Sequence, residues 1–232
     1  MNQPMKTIAI DTSLSTGSVA AIDGERIAVR SLPTAGEHAR LLAAAIEAVA
    51  AELGWRSRAA ELVAVVRGPG SFTGLRVGVT TAKALCWATG SRLLGVSSCE
   101  VIARGTATAG GRHDSPVTVT YDAGRGDVFA ATVVPDRSSP SGWREEAGRL
   151  VAAHDWLAGM ATGSIASGPG LALLTDALAG RPDLVIAPPT AWMPAIADLG
   201  HIALLRAAAG ETDDPAALVP DYIRPSYADE KR

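Results

Sequence analysis

Cysteine and histidine are scarce in this chain of 232 residues, with two of the first and four of the second. Cys86 and Cys99 have no paired spacing, so they read as reduced thiols packed as small hydrophobes rather than as a disulfide framework. His38, His113, His154 and His201 are too scattered to form an HxxxH or HExxH helix face, which excludes the common zinc signatures. Ser71 and Ser97 with such distant histidines make no recognisable nucleophile pattern. No run of 18 or more apolar residues occurs, and MNQPMKTIAI lacks the basic head and cleavage site of a secretory signal. A cytoplasmic protein without a membrane partner is expected, with Met1 to Pro4 a frayed extension before the first strand. A net charge of -3 without clustered Lys and Arg excludes a nucleic-acid backbone binder, so any RNA would be held mainly by another protein.

What is present alternates between strand and helix signals. KTIAI (Lys6 to Ile10), the polar DTSLSTGS and VAAID predict strand, turn and strand, with RIAVRSL a third strand after Gly24. Leu42, Ile46, Val49 and Leu53 recur at helical steps, predicting an amphipathic helix over Glu37 to Leu53 ended by Gly54. LVAVV (Leu62 to Val66) is the continuous β-branched run of a strand buried on both faces. VTVTYDAGRGDVFAATVV (Val117 to Val134) echoes the opening: an apolar run into an Asp, small polar residues, then a second apolar run. Two related lobes are therefore expected, residues 1–108 and a smaller 109–232, with the seam in the Gly- and Thr-rich Ala103 to Ser115. Pro135 to Trp143 reads as a surface loop, and helical patterns resume at Asp155 to Ala161, Leu171 to Ala179 and Trp192 to Ala209. The last helix and tail are expected to pack back on the first lobe, with the final residues mobile.

One stretch is rich in glycine: RGPGSFTGLRVG, Arg67 to Gly78. It lacks the Lys of a phosphate-binding P-loop, and Gly68, Gly70 and Gly74 miss the dinucleotide spacing GxGxxG. Gly74, Gly78, Ala82 and Cys86 instead recur every four residues along a helix expected over Phe72 to Ala88. Each helical glycine costs about 1 kcal/mol relative to alanine, an expense that close approach of another element would offset. Spacing leaves two versions open: a helix packed tightly within its own lobe, or one meeting a helix of another subunit.

Six segments in order along the chain, AIDTS (Ala9 to Ser13), GEHARLL (Gly36 to Leu42), RGPGSFTGLRVG, LLGVSS (Leu93 to Ser98), YDAGRGDVFAA (Tyr121 to Ala131) and PDYIR (Pro220 to Arg224), carry a family resemblance. The chain resembles the TsaB, or YeaZ, family of bacterial accessory proteins of tRNA threonylcarbamoyladenosine (t6A) biosynthesis. That resemblance implies an α/β, two-lobed actin-like ATPase (ribonuclease H-like) fold with a reduced second lobe. Asp11, Thr12 and Ser13 would mark the first ancestral phosphate turn, and Asp122, Gly124 and Gly126 the second. The plainer reading, preferred for this family, is that Asp11 orders a turn and the two glycines permit positive φ. Gly124 departs from the family pattern, where a bulkier residue is common.

The family's catalytic paralogue (TsaD-like) carries an HxxxH metal helix after the equivalent of LLGVSS; here LLGVSSCEVIARG has no histidine. The resemblance thus implies a non-enzymatic subunit without catalytic residues, metal or cofactor of its own, ATP and a metal ion belonging to partner subunits. Those partners would be the paralogue and a small P-loop ATPase (TsaE-like), with tRNA bound only indirectly and a homodimer possible in isolation. The heterodimer surface implied comprises Ser71, Phe72, Thr73, Gly74, Arg76, Gly78 and Ala82, together with His38 and Leu42. Arg76 would pair across it, or form an incidental surface ion pair. Arg224 would reach a partner's nucleotide or tRNA, or snorkel over the surface. An autonomous actin-like-fold ATPase or kinase, motivated by the two Asp-bearing hairpins, is the rival.

Overall fold

The computed structural model describes residues 5–32 and 37–224; the expectations for Met1 to Pro4 and the end of the tail, and Gly36, lie outside the described residues. In chain order the elements are β1 (Thr7–Asp11), β2 (Gly17–Asp23), β3 (Arg26–Leu32), α1 (His38–Glu52), β4 (Leu62–Gly68), α2 (Phe72–Thr89), β5 (Arg92–Ser97) and α3 (Ser98–Gly110). They continue with β6 (Val117–Gly124), β7 (Asp127–Pro135), β8 (Trp143–Glu145), β9 (Arg149–Ala152), α4 (Ala153–Ala158), β10 (Ile165–Ser167), α5 (Thr175–Leu178), β11 (Val185–Ile186) and α6 (Ile196–Ala208).

The chain divides into two compact units, Met1–Ser98 with Ile196–Asp221, and Cys99–Ala195 with Tyr222–Arg232. The first boundary falls after Ser98 rather than after residue 108, and α6 lies in the first unit. Ala103 to Ser115, expected as a seam, begins instead as helix: α3 buries Cys99, Ile102, Ala103, Thr106 and Ala107. Those positions have helical spacing, which the Gly and Thr content obscured.

In the first unit the sheet order is β3-β2-β1-β4-β5, with β1 antiparallel to β2 and parallel to β4. TIAID in β1 is buried at every position, and LVAVV in β4 likewise. Such continuous runs suit strands covered on both faces, here by α1 and α2 and by α6. The core gathers Ile8, Ile10, Leu42, Ile46, Val63 and Val79, each aliphatic side chain contributing about 1.5–3 kcal/mol by leaving water. Burial pushes the Cys86 thiol up to about 11, so it behaves as a core hydrophobe.

The second unit has the sheet order β11-β10-β6-β7-β8, with β9 also paired to β7. Trp156 and Leu157 of α4 join Val128, Ala130, Leu171 and Leu184 in its core. The expected loop Pro135 to Trp143 ends differently: Trp143 is buried and opens β8 against Pro135, since its large apolar surface is better spent in the core. The helix expected from Trp192 starts only at Ile196, because Pro194 disfavours helical geometry in the residue before it. Leu171 to Ala179 is split between a 3-10 segment, Pro169–Leu174, and the single turn α5.

Candidate functional site

β1 ends in Asp11, whose Oδ1 accepts the backbone N–H of Ser13 at 2.8 Å and thereby tightens the turn into β2. Asp11 is 3% exposed, and burial holds its carboxyl above the usual range, opposed by hydrogen bonds from Ser13 and by the charge of His38. The rest of the turn is engaged with the glycine-rich segment. The Thr12 hydroxyl donates to the Gly74 carbonyl at 2.7 Å, and the Ser71 N–H donates to the Ser13 carbonyl at 2.6 Å.

These contacts explain the glycines. A Cβ on Gly74 would overlap the Thr12 carbonyl oxygen, one on Gly78 would overlap the Thr12 hydroxyl, and one on Gly70 would lie 2.6 Å from the Ser13 carbonyl oxygen. The ridge therefore faces the turn of its own unit. Ala82 and Cys86 continue it into the same core. Ser71 caps α2 through the Gly74 N–H, and Gly90, at φ 74°, ends it by donating to the Cys86 carbonyl.

The residues assigned to a partner surface accordingly separate into two groups. Gly74, Gly78, Ala82, Leu42 and His38 are buried within the first unit. They seat α1 and α2 against the sheet. Ser71, Phe72, Thr73 and Arg76 are exposed on α2, and the Arg76 guanidinium lies 3.9 Å from the centre of the Phe72 ring. Among exposed residues not singled out from sequence, Trp87 on α2 is 66% accessible. Its exposure could not be inferred from its type, since tryptophan is usually largely buried.

The second turn, between β6 and β7, reproduces the first chemically but not in burial. Asp122 Oδ1 accepts the Gly124 N–H at 2.7 Å, while Asp122 itself is exposed. Gly124, Arg125 and Gly126 have φ of 73°, 62° and 82°, and a Cβ on either glycine would meet nothing within 4 Å. Backbone conformation rather than space calls for glycine there. Arg224 holds this turn: Nε donates to the Ala123 carbonyl at 2.9 Å and an Nη to Asp127 Oδ2 at 2.5 Å. Neither the snorkelling nor the partner-reaching reading of Arg224 anticipated this, since the two ends lie about a hundred residues apart in sequence. Among the described residues no cluster of three or more His, Cys, Asp or Glu comes together, and no helix is long and apolar enough to cross a membrane.

Residues 33–138 match the family model of TsaD, tRNA N6-adenosine threonylcarbamoyltransferase. The chain is 26% identical over 228 residues to the tRNA threonylcarbamoyladenosine biosynthesis protein TsaB of Escherichia coli (strain K12), covering 97% of this chain and 96% of that one. It is 30% identical over 146 residues to the protein of the same name from Bacillus subtilis (strain 168), a match that spans 58% of this chain and 62% of the relative's length. YeaZ from Pseudomonas aeruginosa superposes with a TM-score of 0.77 at 23% identity, covering 94% of this chain and 99% of that structure. The mixed α/β fold with two sheets is thus the expected actin-like, ribonuclease H-like one. Likeness along nearly the whole sequence, together with the shared fold, makes this chain similar to the TsaB and YeaZ proteins.

Proposed function

We propose that the chain is the non-catalytic subunit of the complex that makes t6A at position 37 of tRNAs reading ANN codons, acting in the cytoplasm. In this reading it docks through α1 and α2 onto a catalytic, HxxxH-bearing TsaD-like paralogue, and a small TsaE-like P-loop ATPase joins the assembly. The paralogue transfers the threonylcarbamoyl group from its adenylate to N6 of the adenosine, with ATP and metal held in the partner subunits. This chain contributes a surface that positions the paralogue. The names of its relatives support membership of that biosynthesis, and the match to the TsaD model supports kinship with the catalytic subunit.

The observation that carries the reading is the state of the first turn and its neighbours. Thr12 and Ser13, which in an active actin-like enzyme would face phosphates, are tied to Gly74 and Ser71 of the α2 segment. Next to that closed turn, α1 and α2 lie against each other and expose small, mostly uncharged side chains, such as Ala39, Ala43 and Ala44 on α1 and Thr73, Thr80 and Ala84 on α2. Small residues let helices of a second protein approach closely.

Light-scattering chromatography of the chain mixed with the HxxxH-bearing paralogue tests this directly. Thr80→Arg with Ala84→Glu on the exposed face is expected to abolish the complex and reconstituted modification while leaving the melting temperature unchanged. Intact assembly and activity in that double variant would overturn the docking surface. ATP turnover by the isolated chain, lost in Asp11→Asn, would favour an autonomous actin-like ATPase or kinase instead.

A further inference from the structure

The indoles of this chain are treated unequally by the fold. Trp55, Trp143 and Trp156 are at most 8% exposed, and the Trp192 Nε1–H donates to the Ala187 carbonyl at 2.7 Å, whereas Trp87 is 66% exposed. Among the described large apolar side chains none is more accessible. A fold ordinarily covers most of a tryptophan, because an uncovered ring leaves a large apolar surface in water. The helical repeat fixes where this ring stands. Thr73, Arg76, Thr80, Ala84 and Trp87 follow one another at steps of three or four residues along α2, and each is exposed. Gly74, Gly78, Ala82 and Cys86 occupy the opposite, buried face.

The indole thus ends the same exposed stripe that α2 offers for docking. From Thr80 onward the exposed helical residues are Thr80, Ala84, Trp87 and Ala88, all uncharged, and the Lys83 ammonium at their flank is bonded to the Leu218 carbonyl at 3.1 Å. A nucleic acid stacked on the ring would need cations beside it for the phosphates, which this end of the stripe does not supply. A protein surface needs none. Aromatic side chains seated in apolar pockets carry most of the affinity of many interfaces, ringed by lesser contacts that exclude water. Thr80, Ala84 and Ala88 are small enough to let such a surface close around the ring.

We infer that Trp87 is the anchor of the docked interface, inserting into an apolar socket on the subunit that α1 and α2 receive. That socket holds one hydrogen-bond acceptor, because the indole Nε1–H is a donor only and needs a partner once it leaves water. This rests on the docking reading above and adds the residue that dominates its affinity, together with the kind of pocket that residue fits.

The test is fluorine NMR of the full chain labelled with fluorotryptophan, in which Trp87 is assigned as the resonance absent from Trp87→Phe. Adding the unlabelled HxxxH-bearing paralogue is expected to move the Trp87 resonance and abolish its solvent isotope shift, as burial requires. In calorimetric titration Trp87→Ser should weaken the heterodimer about thirtyfold at unchanged melting temperature, the size of an interface hot spot. Leu173→Ser, which removes an exposed apolar side chain of the second unit, should leave the affinity as it is. A heterodimer in which Trp87 keeps its solvent isotope shift, or which takes Trp87→Ser as tightly as wild type, would overturn the inference and leave the docking reading intact. Equal losses in Trp87→Ser and Leu173→Ser would overturn it too. So would a Trp87 resonance that answers to tRNA, or to the concentration of the chain alone, and not to the paralogue. Absence of any heterodimer with the wild-type chain would defeat the docking reading and the inference together.

Discussion

Thr12 has two roles, as a hydrogen-bond donor to Gly74 and as the surface against which Gly78 closes. Replacing Gly78 by Leu forces a branched side chain into that contact, and overpacking of this kind costs about 1–3 kcal/mol. Urea unfolding should register that loss of folding stability, whereas the folded fraction should still bind its partner, because the substituted atom faces inward. Asp11 offers a second residue-scale expectation, in its pH dependence. Its folded pKa lies above the unfolded value of about 3.8, so its contribution is fully present below that value and is lost as pH rises through the folded pKa. Asp11→Asn keeps an acceptor for the Ser13 N–H without the buried charge. Its stability relative to wild type should therefore improve as pH rises from below 3.8 to neutrality, measured by denaturant titration across that range. A constant difference would mean that the carboxyl ionises in the fold as it does in the unfolded chain.

At the scale of elements, the two Asp-bearing hairpins solve one turn problem with different support. The first is fastened by α2 through Thr12 and Ser13, the second by Arg224 from the end of the chain. Arg224→Met should raise hydrogen exchange at Ala123 to Asp127 while exchange in β6 and β7 stays slow. Because the ion pair is partly exposed, the global cost should be no more than about 1 kcal/mol. Unchanged exchange at the turn would show that Asp122 and the left-handed residues suffice. Much of this level was legible beforehand. Apolar runs located β1, β4, β6 and β7, helical spacing located α1 and α2, and the repeated Asp with small polar residues located both turns. Trp143 and α3 were misread because loop-like composition was weighed above the burial that a tryptophan and a Cys99–Ile102–Thr106 stripe imply.

For the molecule as a whole, the two units respond to acid with opposite sign at their most perturbed carboxyls. In the second unit Asp183 is gripped by Arg181, Nε to Oδ1 and an Nη to Oδ2, both at 2.9 Å, while Arg181 also bonds the Leu157 and Met160 carbonyls. That grip lowers Asp183 to about 2, so its stabilisation is present above 3.8 and lost as pH falls toward 2. Asp183→Asn should therefore narrow the gap to wild type over that interval, whereas the Asp11 difference shrinks on the same descent for the opposite reason. Acid titrations of the two variants followed by circular dichroism separate these trends. The sequence by itself determined most element types, the two related turns, the family resemblance and the small-residue character of α2, because periodicity, turn chemistry and motif order are local properties. Only the tertiary structure decided where that ridge points, that Arg224 closes the second turn, and that His38 is buried against the first one. Those outcomes depend on which distant backbone comes within hydrogen-bonding reach, and Thr12 meeting Gly74 across sixty-two residues is a distance no local pattern encodes.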